Sequence, residues 1–572
     1  MLIRQRQQVI SNHLKQAFPP LLAQVLANRG ITNPAQMDYT LKGLGSYDVL
    51  KGLPEAVNLL EQAVVSAQRI LVVGDFDCDG ATSTALCLLA LRAMGAGYTD
   101  YLVPNRFTQG YGLSTAIVDL ASQRQPHLII TVDNGVASHG GVERAHQHGI
   151  KVLITDHHIP GASLPAADAI VNPNQPGCPF AFKSTAGVGV IFYVLLALRR
   201  RLLARHWFAQ QGISPPDLAQ YLDLVALGTV ADLVPLDRNN RILVAQGLVR
   251  LRQGKGRPGL LALLDIAKRN YATLTAADLG FATGPRLNAA GRLDDMSLGI
   301  ECLLSESESA AGLAKQLDEL NQERRHIETD MKQQAQVYMA NLQSQDDQSM
   351  PKCICLYQNN WHQGVIGILA ARIKEQYHRP VVIFADGDDG LLKGSARSIA
   401  GFHIRDALAA VDINYPGLIE RFGGHAMAAG LSLNKQSLSR FRCAFLEYAE
   451  QNLDNSDLAV EWLTDGELES ADLNLLHAEA LRRLGPWGQA FPEPCFHGQF
   501  EIVQQRLVGK KHLKLVLAVP SSETLVDGIY FNVDLQRWPN DSKLVQLIYY
   551  LDVNEFRAQR NLQLLVKYIQ PL

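Results

Sequence analysis

Short apolar runs punctuate the chain, separated by longer mixed stretches. Arg69-Ile-Leu-Val-Val-Gly74 is a β-branched run of strand length closed by a glycine, and it reads as a buried strand. His127-Leu-Ile-Ile-Thr-Val132, Lys151-Val-Leu-Ile-Thr155 and Ala169-Ile-Val171 repeat the pattern. Helical stretches lie between them, and another, 55–68, precedes the first run. Strands alternating with helices predict an α/β domain with a mostly parallel sheet. Ligands of such sheets sit at the carboxyl ends of the strands. Residues 1–45 read as short helices ending in a turn from Gly43 to Ser46. Residues 191–250 read as helical, with a basic run at Arg199, Arg200, Arg201 and Arg205 that suits a solvated face. Residues 306–344 hold one glycine and no proline. They predict a single polar helix of about 55 Å, a spacer between domains. Cys353-Ile-Cys-Leu-Tyr357 and Pro380-Val-Val-Ile-Phe384 open a second α/β domain. From about Phe496 the chain breaks into short strands, about five in about 75 residues, which suits a barrel of the OB type. The predicted division is a helical segment 1–50, an α/β domain 51–304, a connecting helix 305–345, a second α/β domain 346–455, and a linker with barrel 456–572.

Composition adds limits. Of 572 residues, 47% are apolar and 19% charged, as in an ordinary globular protein. A net charge of -3 does not advertise a nucleic-acid partner, but local charge decides that question. The eight cysteines form no CxxC pair and read as buried, reduced thiols. No run reaches about 18 apolar residues, so no membrane span is expected. The first twenty residues lack the apolar core of a signal peptide. A cytoplasmic protein is expected.

Candidate chemistry collects at the strand ends. The first ends in Gly74-Asp75-Phe76-Asp77-Cys78-Asp79-Gly80, three carboxylates within five residues. They would repel one another unless a cation compensates. A calcium-binding EF-hand loop also opens D-x-D-x-D-G, but it needs a Glu where Leu86 stands, and a helix, not a strand, before it. The second strand ends in Asp133-Asn134-Gly135 and the third in Asp156-His157-His158. Another apolar run, Ala226 to Ala231, ends at Asp232. Five or six oxygen and nitrogen ligands without a thiolate are too many for one closed zinc site. They suit two Mn²⁺ or Mg²⁺ ions bridged by a carboxylate, a pair that can drive phosphoryl displacement.

GDFDCDG, VDNG, TDHH and GTVADLVPL resemble, in order and context, the first four motifs of the DHH phosphoesterase family. Gly284-Pro-Arg-Leu-Asn-Ala-Ala-Gly-Arg-Leu-Asp294 and Val103-Pro-Asn-Arg-Phe-Thr-Gln-Gly-Tyr-Gly112 resemble its larger exonuclease members. His362-Gln-Gly-Val-Ile-Gly367, Gly394-Ser-Ala-Arg-Ser398 and Arg421-Phe-Gly-Gly-His425 are similar to the DHH-associated domain. The resemblance covers residues 45–572 and departs from many relatives at Ala490-Phe491, where they carry Gly-Asn. It implies metal ligation by Asp75, Asp77, Asp79, Asp133, His157 and Asp232, with Asp133 bridging and His158 beside the scissile phosphate.

Arginines in glycine-rich loops suit phosphate: Arg106, Arg286, Arg292 and Arg397. The resemblance implies a pocket for a terminal 5′ phosphate made by Arg106, Arg286, Ser395 and Arg397. Gly424 and His425 would then contact the strand near the scissile group, with Asn288 among the substrate contacts. Tyr111 is placed to stack on a base. Lys510, Lys511 and Lys514 follow Gly509 at a hairpin turn, either a single-strand track or a plain basic turn. The activity implied is digestion of single-stranded DNA from its 5′ end to 5′-mononucleotides, in recombination and repair. The implied partners are a single-stranded-DNA-binding protein and a repair helicase, and a monomer is expected. The alternative is a phosphodiesterase of the same family acting on short oligonucleotides or other small phosphates. A scaffold that has lost its metal is disfavoured, because every ligand position is filled.

Overall fold

The structure is a computed structural model that describes residues 2–105, 112–345, 350–387, 390–509, 511–520, 522–535, 537–556 and 559–572. The chain divides into two compact units, one of Met1–Ile3 and Glu319–Trp462, the other of Arg4–Asp318 and Leu463–Leu572.

The larger unit holds a five-stranded parallel sheet in the order Tyr98–Leu102, Arg69–Val73, Leu128–Val132, Lys151–Thr155, Ala169–Val171. The edge strand Tyr98–Leu102 escapes sequence patterning, because its polar Tyr-Thr-Asp-Tyr start hides the period. Leu128–Val132 is buried at every position, so its run of apolar residues carries no solvent face. The chain runs from Arg69–Val73 outward to Tyr98–Leu102, then crosses back to Leu128–Val132 on the other side. The strand order thus reverses between Arg69–Val73 and Leu128–Val132, which opens a crevice at their carboxyl ends. The helix Cys78–Ala93 follows the first strand and is buried almost all round. It packs against Gly187–Ala204 and Leu222–Ala231. Asp232 therefore sits at the carboxyl end of a helix rather than a strand.

The same unit contains a closed barrel in the order Phe496–Val508, His512–Ala518, Leu525–Tyr530, Gln559–Pro571, Leu544–Phe556. Only Leu525–Tyr530 and Gln559–Pro571 pair in parallel. Leu513, Leu515 and Leu517 alternate into its core with Phe500, Leu547 and Leu564. Ahead of the barrel, Asp465 pairs with Arg29 of the N-terminal segment. Arg29 Nη1 and Nη2 each lie 2.9 Å from a carboxylate oxygen of Asp465. Both side chains are closed to solvent, at 1% and 0% exposure. The N-terminal segment begins with a strand, Leu2–Gln5, rather than a helix.

The polar stretch forms one helix of 39 residues, Ser307–Gln345, within which the unit boundary falls. The smaller unit carries a mixed sheet in the order Arg421–Gly424, Ala428–Asn434, Leu391–Arg397, Val381–Asp386, Ile354–Tyr357. Only the last pair is parallel. Its core is built by Phe384, Phe441 and Phe445 with the apolar faces of Ile404–Asn414 and Leu438–Asn452. All eight cysteines are free thiols, but Cys443 is exposed, against the expectation of burial. Among the described residues, no helix is long and apolar enough to cross a membrane.

Candidate metal centre and phosphate cradle

The loop after Arg69–Val73 turns at once into a helix, and its carboxylates do the turning. Asp77 caps Cys78–Ala93, its Oδ1 accepting the Gly80 N–H at 3.0 Å. Asp75 Oδ1 accepts the N–H of Phe76 at 2.7 Å. Asp79, in the first helical turn, is 1% exposed. Its two oxygens accept the Gly187 N–H at 2.7 Å and the Val188 N–H at 3.0 Å. Those are leading N–H groups of Gly187–Ala204, a natural seat for negative charge.

Asp133 follows Leu128–Val132 with φ +63°, a left-handed backbone that Asp tolerates better than most residues. Its carboxylate Oδ1 lies 3.1 Å from His157 Nε2, and Asp232 Oδ2 lies 3.4 Å from the same nitrogen. Asp156 points away from this group and organises the loop. Its Oδ1 takes the N–H of His157 at 2.7 Å, the N–H of His158 at 3.1 Å and His158 Nδ1 at 2.8 Å. Its Oδ2 takes the N–H of Val136 at 2.9 Å.

Three sets of side chains bring one ligand atom each within 4.8 Å of one another: Asp133, His157 and His158; Asp79, His157 and Asp232; Asp75, Asp77 and Asp133. Asp133 and His157 each belong to two sets. The electrostatics favour a cation. Burial first, and then the charges of Asp79, Asp77, Asp232 and Asp75, hold the Asp133 carboxyl well above the usual range. Asp232 is raised by burial and by Asp79 and Asp77. Asp79 is pushed up to about 7 by burial and by Asp77. Burial and the charge of His158 depress His157 to about 4 and leave it neutral, as a ligand must be. Burial would also lower His158, but its hydrogen bond and charge pairing with Asp156, aided by Asp232 and Asp75, raise it to about 9. Neighbouring oxygens of an octahedral cation with ligands at about 2.1 Å stand about 3 Å apart. The 3.1 and 3.4 Å separations around His157 are of that size. Carboxylates and one or two imidazoles, without thiolate, form a donor set that fits Mn²⁺ or Mg²⁺.

Asparagines hold the ligand loops from outside, and sequence reading passed over most of them. Asn134 Nδ2 donates to Val73 O at 3.1 Å and Val132 O at 2.9 Å, tying the two strand ends together. Asn172 Nδ2 donates to His158 O at 2.9 Å and Asn174 Nδ2 to His157 O at 2.6 Å. The available signal was Asn172-Pro-Asn174 directly after a buried strand, where nothing in a plain turn needs two amides. Asn288, read as a substrate contact, accepts the Cys78 N–H at 2.8 Å. Its helix neighbour Arg286 is committed to Asp318 at 2.8 Å. Arg292 is half-buried on the same helix, Gly284–Leu293. Arg106, Tyr111 and Lys510 lie outside the described residues. Lys511 is exposed at the hairpin between Phe496–Val508 and His512–Ala518, and Lys514 Nζ pairs with Asp527 at 3.2 Å.

The smaller unit holds a second polar arrangement. Ser395 and Arg397 alternate onto one face of Leu391–Arg397. Arg397 Nη1 donates to Ser395 Oγ at 3.2 Å and to Ala396 O at 2.8 Å. No carboxylate pairs with it among the described residues. A Cβ on Gly367, in the first turn of Ile366–Tyr377, would come within 3.0 Å of Ser395 Oγ and 3.1 Å of Arg397 Nη2. A hydroxyl, a guanidinium without an acid and a helix N-terminus share this spot, a cradle for an anion. Gly424 and the exposed His425 lie at the tight turn where the His425 N–H donates to Ala428 O at 2.8 Å.

Family comparisons agree with this geometry. The DHH family N-terminal domain matches residues 69–229, the DHHA1 domain residues 350–451 and the RecJ OB domain residues 464–568. The chain is 53% identical to the single-stranded-DNA-specific exonuclease RecJ of Dickeya dadantii over 99% of both chains. It is 52% identical to the Escherichia coli protein of the same name over 100% of this chain and 99% of that one. The crystal structure of RecJ in complex with Mn²⁺ from Thermus thermophilus superposes with a TM-score of 0.81 at 28% identity, covering 100% of this chain and 80% of that one. A chain so similar along its whole length, with all three domain types in order, belongs to the RecJ family of DHH phosphoesterases.

Proposed function

We propose that this chain is a metal-dependent exonuclease specific for single-stranded DNA, working from the 5′ end and releasing 5′-mononucleotides. The observation that carries the reading is the convergence of Asp75, Asp77, Asp79, Asp133, His157 and Asp232 into overlapping ligand sets at the crevice of a parallel sheet. These six would hold two Mn²⁺ or Mg²⁺ ions, with Asp133 shared. When bound, such a pair lowers the pKa of the attacking water and neutralises charge on the phosphoryl oxygens. His158, held by Asp156, would stand beside the scissile phosphate and stabilise its developing charge. Arg397 and Ser395 would take the terminal 5′ phosphate, together with Arg106 and Arg286. Arg286 would then exchange Asp318 for phosphate. Arg292, Gly424 and His425 would guide the strand. Tyr111 would stack on a base, and Lys510, Lys511 and Lys514 would track the strand along the barrel. On this reading 51–304 is the catalytic domain, 346–455 the DHH-associated domain and 456–572 the linker and DNA-binding barrel. A monomer in the cytoplasm, serving recombination and repair beside a single-stranded-DNA-binding protein and a helicase, fits the same reading.

The test is digestion of single-stranded DNA labelled at one end or the other, with Mn²⁺, with Mg²⁺ and with a chelator. Mononucleotides released from the 5′ end, only with metal, are expected. Release from the 3′ end would overturn the polarity. Activity confined to dinucleotides would favour the small-substrate alternative.

A further inference from the structure

The helix Gly284–Leu293 reaches the metal-ligand loop from about two hundred residues away in sequence, and it touches the loop's main chain. Asn288 Oδ1 accepts the N–H of Cys78 at 2.8 Å, across 210 residues of chain. Cys78 stands between Asp77 and Asp79, so this bond fixes the peptide that joins two ligand positions. One turn further on, the helix lies so close that a Cβ on Gly291 would sit 1.9 Å from the carbonyl oxygen of Phe76. The loop is thereby gripped on both sides of Asp77: at Phe76 by the bare backbone of Gly291, and at Cys78 by the amide of Asn288. Its other restraints include the Asp77 cap on Gly80, the Asp75 contact with Phe76, and the Gly187 and Val188 N–H groups that hold the Asp79 carboxylate. The Gly187 and Val188 bonds hold the side chain of Asp79, whereas Asn288 and Gly291 hold the main chain on either side of Asp77.

We infer that Asn288 is a positioning residue for the metal centre, holding Asp77 and Asp79 at ligand spacing through the main chain of Cys78, rather than a contact to DNA. The inference rests on the two-ion reading above. An outer partner of this type acts by keeping ligands preorganised, and its removal lowers metal affinity by about 10- to 100-fold. The distinguishing feature is chemical. Holding the loop uses the carbonyl oxygen of the Asn288 amide, an acceptor. Gripping a phosphate would use the amide nitrogen, a donor. Asn288→Asp keeps the acceptor and replaces the donor with a charge that repels phosphate.

The full chain, Asn288→Ala and Asn288→Asp are each titrated with Mn²⁺ alone, following free ion and the bound-ion line shape by electron paramagnetic resonance. Each is also titrated with a 5′-phosphorylated single strand in chelator. Asn288→Ala is expected to bind Mn²⁺ at least about tenfold more weakly and with an altered line shape. Its affinity for the strand in chelator should match that of the parent. Asn288→Asp should stay within about threefold of the parent for Mn²⁺. If Asn288→Ala melts early in chelator, Asn288→Gln, which displaces the oxygen by one methylene, carries the same expectation. Unchanged Mn²⁺ affinity in Asn288→Ala, or an Asn288→Asp as weak as the Ala variant, overturns the positioning role. A parent chain that binds no Mn²⁺ would instead remove the metal-centre reading on which it rests.

Discussion

His157 Nε2 lies 3.1 Å from Asp133 Oδ1, a neutral imidazole held against a buried carboxylate, with Asp232 Oδ2 3.4 Å from the same nitrogen. Asp133 is the carboxylate common to two of the three ligand sets. Asp133→Asn removes the charge that a shared ligand supplies. Turnover in Mn²⁺ is expected to fall by more than about 100-fold, the upper end of what removing an outer partner costs. Circular dichroism and single-turnover kinetics on the purified variant check this, and near-normal turnover would contradict the assignment.

Metal removal makes stability depend on pH in a defined direction. Asp79, Asp133 and Asp232 all have carboxyls raised above their ordinary 3.8, Asp79 to about 7. A group with a raised folded pKa binds a proton that the unfolded chain has already given up, so its contribution is complete below the ordinary value and disappears as pH rises through the folded one. In chelator the melting temperature should therefore drop as pH rises from about 4 through about 7. Saturating Mn²⁺ should remove most of the drop, because cations favour the ionised carboxylates. A flat profile in chelator would show that the cluster is not strained when empty.

Arg397→Ala tests the cradle in the smaller unit. Charge-assisted hydrogen bonds contribute about 1.5–3 kcal/mol, or roughly 10- to 150-fold. The variant should lose discrimination of that order between 5′-phosphorylated and 5′-hydroxyl strands. Initial rates on the two substrates decide it, and full retention of discrimination would place the terminal phosphate elsewhere.

Lys511 is exposed at the barrel hairpin, whereas Lys514 is paired with Asp527 at 3.2 Å. Lys511→Ala should therefore flatten the salt dependence of single-strand binding more than Lys514→Ala, by up to about 0.7 in the log–log slope for each phosphate no longer neutralised. Equal or absent effects would point the DNA track away from this turn.

The Arg29–Asp465 pair is fully desolvated, so removing one partner strands a buried charge. Arg29→Ala or Asp465→Ala is expected to cost about 3–5 kcal/mol, read by urea denaturation. Arg29→Met combined with Asp465→Leu should recover part of that, since neither position then buries a charge, although Arg6, 3.6 Å from the carboxylate, also loses a partner.

The sequence by itself determined the strands Arg69–Val73, Leu128–Val132 and Lys151–Thr155, the long helix and the barrel, because each is a local pattern of apolar spacing. It also marked the loops where charge gathers, since Asp75, Asp77 and Asp79 crowd visibly within five residues. Local pattern failed where the element is short and polar, as at Tyr98–Leu102. Tertiary structure alone decided which groups face one another. That both Asp79 oxygens are taken by the amides of Gly187 and Val188, that Arg286 is spoken for by Asp318, and that Asn288 holds Cys78 are relations across 108, 109, 32 and 210 residues. No periodicity records them. A hydrogen bond depends on distance in space, and only the packing of helices and strands into one core brings such distant residues within about 3 Å.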